Sequence, residues 1–159
     1  MGIALTRRPP PLLAAALNGS RAHPRVPRTP DELAEAARRS VDAGDRVLHL
    51  HPFDARGSER LAAGPCAAAL RTVHAACPRV PVSLSVSDAV EPDPRRRREL
   101  VAVWTILPEP VTANQGGAGI RELCDDLIGR CVGIEAGPFT LAEPHRSYVR
   151  VWLSAVSGP

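Results

Sequence analysis

The chain has no lysine; all 20 of its basic residues are arginine. Aromatics make up only 3% of its 159 residues. Together with abundant Ala, Pro and Arg, this bias reflects a high-GC coding sequence more than a functional signal. No apolar stretch reaches the about 18 residues that a membrane-spanning helix needs. Cys66, Cys77, Cys124 and Cys131 form no C-x-x-C pair, which excludes a zinc ribbon or a dithiol redox motif. No G-x-G-x-x-G follows the first apolar run, which argues against a dinucleotide site. A net charge of +3 is too small to argue for nucleic acid. "MGIALTRRPPPLLAAALNGS" has prolines before its apolar run and no A-x-A site after it, so it reads as a first strand rather than a signal peptide. The expectation is a soluble cytoplasmic protein with free thiols, with no membrane and no nucleic-acid partner. A content of 23% charged and 44% apolar residues suits a single domain, residues 1–159, with a real core.

The elements alternate. Pro11–Gly19 is a short apolar run closed by Asn-Gly, a buried strand and turn. Thr29–Gly44 is a helix: Thr29 caps it, Pro30 suits its first turn, Glu32 completes a capping box and Gly44 stops it. Arg46–Phe53 is a second strand and Ser58–Cys77 a second helix, with Gly64-Pro65 starting or interrupting it. Val80–Asp88 is a third strand. Asp93–Leu107 is a helix capped by Asp93. A strand from Pro110, a helix over Ala118–Arg130 and a strand over Cys131–Gly137 follow, and Ser147–Val156 reads as a sixth strand.

This rhythm predicts an α/β fold with a parallel sheet and right-handed crossovers. Two closures are open: a doubly wound sheet, or a (β/α)8 TIM barrel with about five or six of its eight units present. Polar residues recur at the carboxyl ends of successive strands: Asn18, then His49 and His51, then Ser85 and Ser87, then Thr112 and Asn114, then Glu135. That favours the incomplete barrel, which gathers its chemistry on this face, whereas an open sheet uses mainly one switch point.

In "RVLHLHPFD" the two histidines alternate with Leu48 and Leu50. Residues i and i+2 of a strand share a face, about 6–7 Å apart. His49 and His51 can therefore converge on one metal, zinc being the natural match for such nitrogen donors. The alternative is two hydrogen-bonded histidines at a strand end.

The stretch "AALNGSRAHPRVPRTPDELAEAARRSVDAGDRVLHLHPFDARGSERL" resembles the N-terminal part of the β-keto acid cleavage enzymes, which include 3-keto-5-aminohexanoate cleavage enzyme. The likeness continues through "CPRVPVSLSVSDAVEPDPRRR", "LPEPVTANQGGAG" and "VGIEAG", from about Ala14 to Gly137. It implies a zinc-dependent (β/α)8 barrel that takes a β-keto acid and acetyl-CoA to acetoacetate and an acyl-CoA. By the same resemblance His49 and His51 are zinc ligands, Ser85, Thr112 and Asn114 bind substrate, and Glu135 is a catalytic polar or acid–base group.

The chain also departs from the pattern. The third zinc ligand of the family, a glutamate, lies late in the barrel with its general-base aspartate and partner arginine, and no counterpart occurs before Pro159. Where relatives have S-T-G, this chain has Ser85-Val86-Ser87; Phe53 replaces an arginine, Arg21 stands where some members are acidic, and Gly117 and Ala118 replace acidic positions. Two readings follow: an acetyl-CoA-dependent enzyme, or an inactive, truncated remnant keeping the scaffold and part of the metal site. An open sheet edge predicts a homo-oligomer.

Arg95–Glu99, "RRRRE", reads as solvated helix turns with one arginine finding a partner, CoA phosphate being one candidate. His74 is expected on a helix surface, and His23 in a loop near the pocket; His145 has no assignment. Cys66 and Cys77 read as packed thiols, Trp104 and Trp152 as packing residues.

Overall fold

The computed structural model describes residues 12–21, 23–114 and 116–137. Five parallel strands alternate with four helices: β1 (Ala14–Ala16), α1 (Pro30–Asp42), β2 (Val47–Leu50), α2 (Ala63–Ala76), β3 (Val82–Ser85), α3 (Pro94–Ala102), β4 (Pro110–Asn114), α4 (Ile120–Ile128) and β5 (Gly133–Gly137). The strands pair in chain order, β1-β2-β3-β4-β5. A doubly wound sheet must reverse its order at a switch point. Among the described residues no reversal occurs, so the sheet is the wall of an incomplete TIM barrel. The sixth strand expected at 147–156 lies outside the described residues, as do His145 and Trp152.

Alternation divides each strand. Leu48, Leu50, Val82, Leu84, Val111, Ala113 and Ile134 are buried with Leu33 and Ala37 of α1, Leu70 and Val73 of α2, and Leu123 and Leu127 of α4 in one core. The opposite face carries His49, Ser83, Ser85, Thr112, Asn114 and Glu135. A sheet wall whose outer face is wholly apolar and whose inner face is polar is built to present chemistry inward.

The helix starts follow from local chemistry. The Thr29 hydroxyl accepts from the Glu32 amide at 3.3 Å, and the Glu32 carboxylate accepts from the Thr29 amide at 3.0 Å. These bonds, with one from the Arg28 amide, hold the Glu32 carboxyl below its ordinary value. Asp93 accepts from the amides of Arg95 and Arg96 to start α3.

Helix α2 begins at Ala63, five residues after the expected Ser58. The segment between is a hairpin-like turn: the Asp54 carboxylate accepts from the amides of Arg56 and Ser58, Gly57 takes φ +74°, and Phe53 bridges antiparallel to Glu59. Pro65 falls in the first helical turn, where its missing N–H costs nothing. Helix α3 ends at Ala102 rather than Leu107, because the chain turns to bury Trp104, whose indole N–H donates to the Leu61 carbonyl at 2.7 Å.

The arginine run is not a uniform solvated face. Arg97 is buried and donates to the carbonyls of Glu91 and Ala118, tying the loops that precede α3 and α4. Arg98 makes a two-pronged pair with Asp126 at 2.7 and 3.1 Å, and Arg96 meets Glu99 at 3.0 Å. His74 lies on α2 with its Nε2 3.1 Å from Glu109. Burial pushes the Cys66 thiol up to about 12 and the Cys124 thiol up to about 11, so both are packed and unreactive. No helix among the described residues is long and apolar enough to cross a membrane.

Candidate metal centre

The site begins with Asn18, two residues beyond the end of β1. Its Oδ1 accepts from the His51 amide at 2.8 Å, and its Nδ2 donates to the carbonyls of His51 at 2.9 Å and Pro27 at 3.0 Å. One NH2 facing two carbonyls and one oxygen facing one N–H leave a single amide orientation. Asn18 thus continues the β1–β2 ladder with its side chain. It holds His51, which has already left β2, in line with His49. The imidazoles meet edge to face, with ring centroids 5.1 Å apart and planes at 89°.

Each ring is anchored through Nδ1. His51 Nδ1 lies 2.7 Å from Glu59 Oε1, and Ser20 donates to Glu59 Oε2 at 2.7 Å. Burial raises the Glu59 carboxyl, but the bonds from His51 and Ser20 outweigh it and leave the group below its ordinary value. His49 Nδ1 lies 3.1 Å from the Thr112 hydroxyl and 3.3 Å from the Ser83 hydroxyl. Both hydroxyls donate to Glu135 Oε2, at 2.9 and 3.3 Å. A hydroxyl that spends its proton on a carboxylate can only accept from its other neighbour. His49 therefore carries its proton on Nδ1, as a Glu59-bonded His51 does. Burial, then the neighbouring His51, pushes the His49 pKa below the ordinary histidine value, with Glu135 and Glu59 opposing. A neutral imidazole with Nδ1–H leaves the Nε2 lone pair open.

Metal-binding histidines have this arrangement: one nitrogen free for the ion, the other fixed by a carboxylate or a hydrogen-bond acceptor. The two rings fit two donors of a zinc site on that chemistry. Among the described residues no group of three His, Cys, Asp or Glu side chains comes together to complete one, and Glu135 lies on the Nδ1 side of His49 rather than beside the free nitrogens.

Of the residues singled out from sequence, His49, Thr112 and Glu135 meet in one network and His51 stands beside them. Ser85 is buried on the same face with no side-chain hydrogen bond among the described residues, and Asn114 sits at the end of β4. The serine that touches His49, Thr112 and Glu135 is Ser83, which sequence reading passed over in favour of Ser85. Glu59 was also missed, because its segment read as the start of a helix; the D-x-x-G-S spacing from Asp54 to Ser58 was the available turn signal.

A sequential parallel sheet with a histidine pair and hydroxyl–carboxylate support on its inner face defines an incomplete TIM barrel with a candidate metal centre. The chain belongs to the beta-keto acid cleavage enzyme family, whose description matches residues 10–133. Among solved structures it is similar in fold to "Apo structure of ObcA", with 20% identity and a TM-score of 0.54 over 71% of this chain. The chain spans 30% of the length of that protein.

Proposed function

We propose that this chain carries the histidine half of a zinc-dependent site for cleaving β-keto acids with acetyl-CoA, giving acetoacetate and an acyl-CoA. The observation that carries the reading is the pair of imidazoles, each anchored at Nδ1 and each open at Nε2. Zinc, when bound, supplies a Lewis acid for the keto oxygen and carboxylate of the substrate and so favours enolate-like charge. His49 and His51 hold the ion. Ser85, Thr112 and Asn114 orient the substrate. Glu135 keeps the Thr112 hydroxyl proton directed away from His49 and acts as the catalytic carboxylate of this strand set. The third donor and the general base come from outside the described residues. A second copy is one source, since the edges of β1 and β5, unpaired among the described residues, favour a homo-oligomer.

The absence of a third ligating group among the described residues supports a second reading, a scaffold that retains half a metal site without turnover. Zinc content of the purified chain, beside a His49→Ala/His51→Ala variant, and an acetyl-CoA-dependent assay with small β-keto acids separate the two. Stoichiometric zinc lost in the double variant, with turnover, supports the enzyme. Zinc without turnover supports the scaffold. No zinc in the soluble chain overturns the metal reading.

A further inference from the structure

We propose that Glu59 is the positioning residue for His51, fixing its proton on Nδ1 and aiming its Nε2 lone pair into the site. The 2.7 Å contact between Glu59 Oε1 and His51 Nδ1 joins a ring only 16% exposed to a carboxylate whose side chain is only 9% exposed. A carboxylate only accepts, so the nitrogen facing it must carry the proton. The second oxygen of Glu59 is taken by the Ser20 hydroxyl at 2.7 Å, which stops the carboxylate from rotating. The backbone of Glu59 is bridged to Phe53, two residues past His51, so carboxylate and imidazole are carried on one short hairpin. Both carboxylate oxygens are engaged behind the ring, at its Nδ1 edge. Glu59 is therefore a support for His51 rather than a third ion donor. The two histidines are also supported unequally. His49 meets hydroxyls, which direct its proton only because Glu135 accepts from them, whereas His51 meets its carboxylate directly.

The metal arm of the test rests on the proposed zinc site; the tautomer arm does not. Two-bond proton–nitrogen correlation NMR of the isotope-labelled, metal-free chain reads the His51 tautomer, with His51→Ala supplying the assignment. The expected result is Nδ1–H in the wild-type chain, a move toward Nε2–H in Glu59→Ala, and retention of Nδ1–H in Glu59→Gln, whose amide oxygen still accepts. Nε2–H in the wild-type chain overturns the proposal even if Glu59→Ala fails to fold, and so does unchanged Nδ1–H in a folded Glu59→Ala. In zinc titrations Glu59→Ala should weaken binding about 10–100-fold, with Glu59→Gln recovering part of the loss. Zinc binding equally tight in wild type and Glu59→Ala overturns it. If the tautomers behave as expected and zinc binds neither protein, the positioning role stands and the zinc site falls.

Discussion

Replacing Asn18 tests whether one side chain holds the second histidine in register. Asn18→Ala removes three hydrogen bonds, at 2.8, 2.9 and 3.0 Å, and strands the His51 N–H, the His51 carbonyl and the Pro27 carbonyl. A typical net loss of about 0.5–1.5 kcal/mol per bond gives about 2–4 kcal/mol in all, with partial solvent access keeping the sum near the middle. That is a large share of the about 5–15 kcal/mol that holds a domain together. With a urea m-value of about 2 kcal/mol/M, the unfolding midpoint should fall by about 1–2 M. Asn18→Asp is the sharper variant. It has the same shape and keeps the acceptor for the His51 amide, but it puts a carboxylate oxygen against two carbonyls. At neutral pH it should cost at least as much as Asn18→Ala. Urea unfolding of the three proteins, followed by circular dichroism, measures this. If Asn18→Asp unfolds within about 0.5 kcal/mol of wild type, the surface-substitution range, the side chain does not hold His51 and the reasoning fails.

Thr112→Val keeps the shape of the side chain but cuts the shorter of the two hydroxyl links from His49 to Glu135, leaving only the one through Ser83; zinc affinity should drop up to about tenfold with little change in unfolding midpoint, and an unchanged titration would count against the network. Gly119→Ala places a methyl 2.5 Å from Pro94 Cβ at a residue with φ +67°, so thermal unfolding should show a loss of more than about 1 kcal/mol. Cys131 is the exposed thiol, while Cys66, Cys77 and Cys124 are buried. Alkylation of the folded chain at neutral pH should therefore stop at one thiol, counted by mass spectrometry, with the others labelled only on unfolding.

Local chemistry was the most legible part of the sequence. The α1 cap could be read because Thr29, Glu32 and Gly44 act within a turn of themselves, and the alternation of His49 and His51 with leucines needs only a period of two. The limits of α2 and α3 were not legible in the same way. The start of α2 is set by a short hairpin closed between Phe53 and Glu59, whose D-x-x-G-S turn signal is easily read as a helix start, and the end of α3 by the burial of Trp104 against Leu61, a contact across the fold. Ser83 and Ser85 illustrate the same boundary within the site. Period two places both on the inner face, but which one meets His49 depends on strand register. β2 and β3 pair His49 with Ser83, whereas β3 and β4 pair Ser85 with Thr112. That stagger arises from how neighbouring strands slide past each other, and no single strand encodes it.

Because each strand pairs with the next along the chain, the supports of the two histidines become available at different times as the chain is synthesised. Everything that holds His51 (Asn18, Ser20 and Glu59) lies within one early stretch of the chain. His49 waits for Ser83, then Thr112, and finally Glu135 on β5. Sequential pairing keeps each loop closure short. An emerging chain can therefore set its second imidazole while the first is still unsupported, and a chain interrupted before β5 would keep one ring with its proton fixed and one whose hydroxyl partners no longer have a carboxylate to direct them.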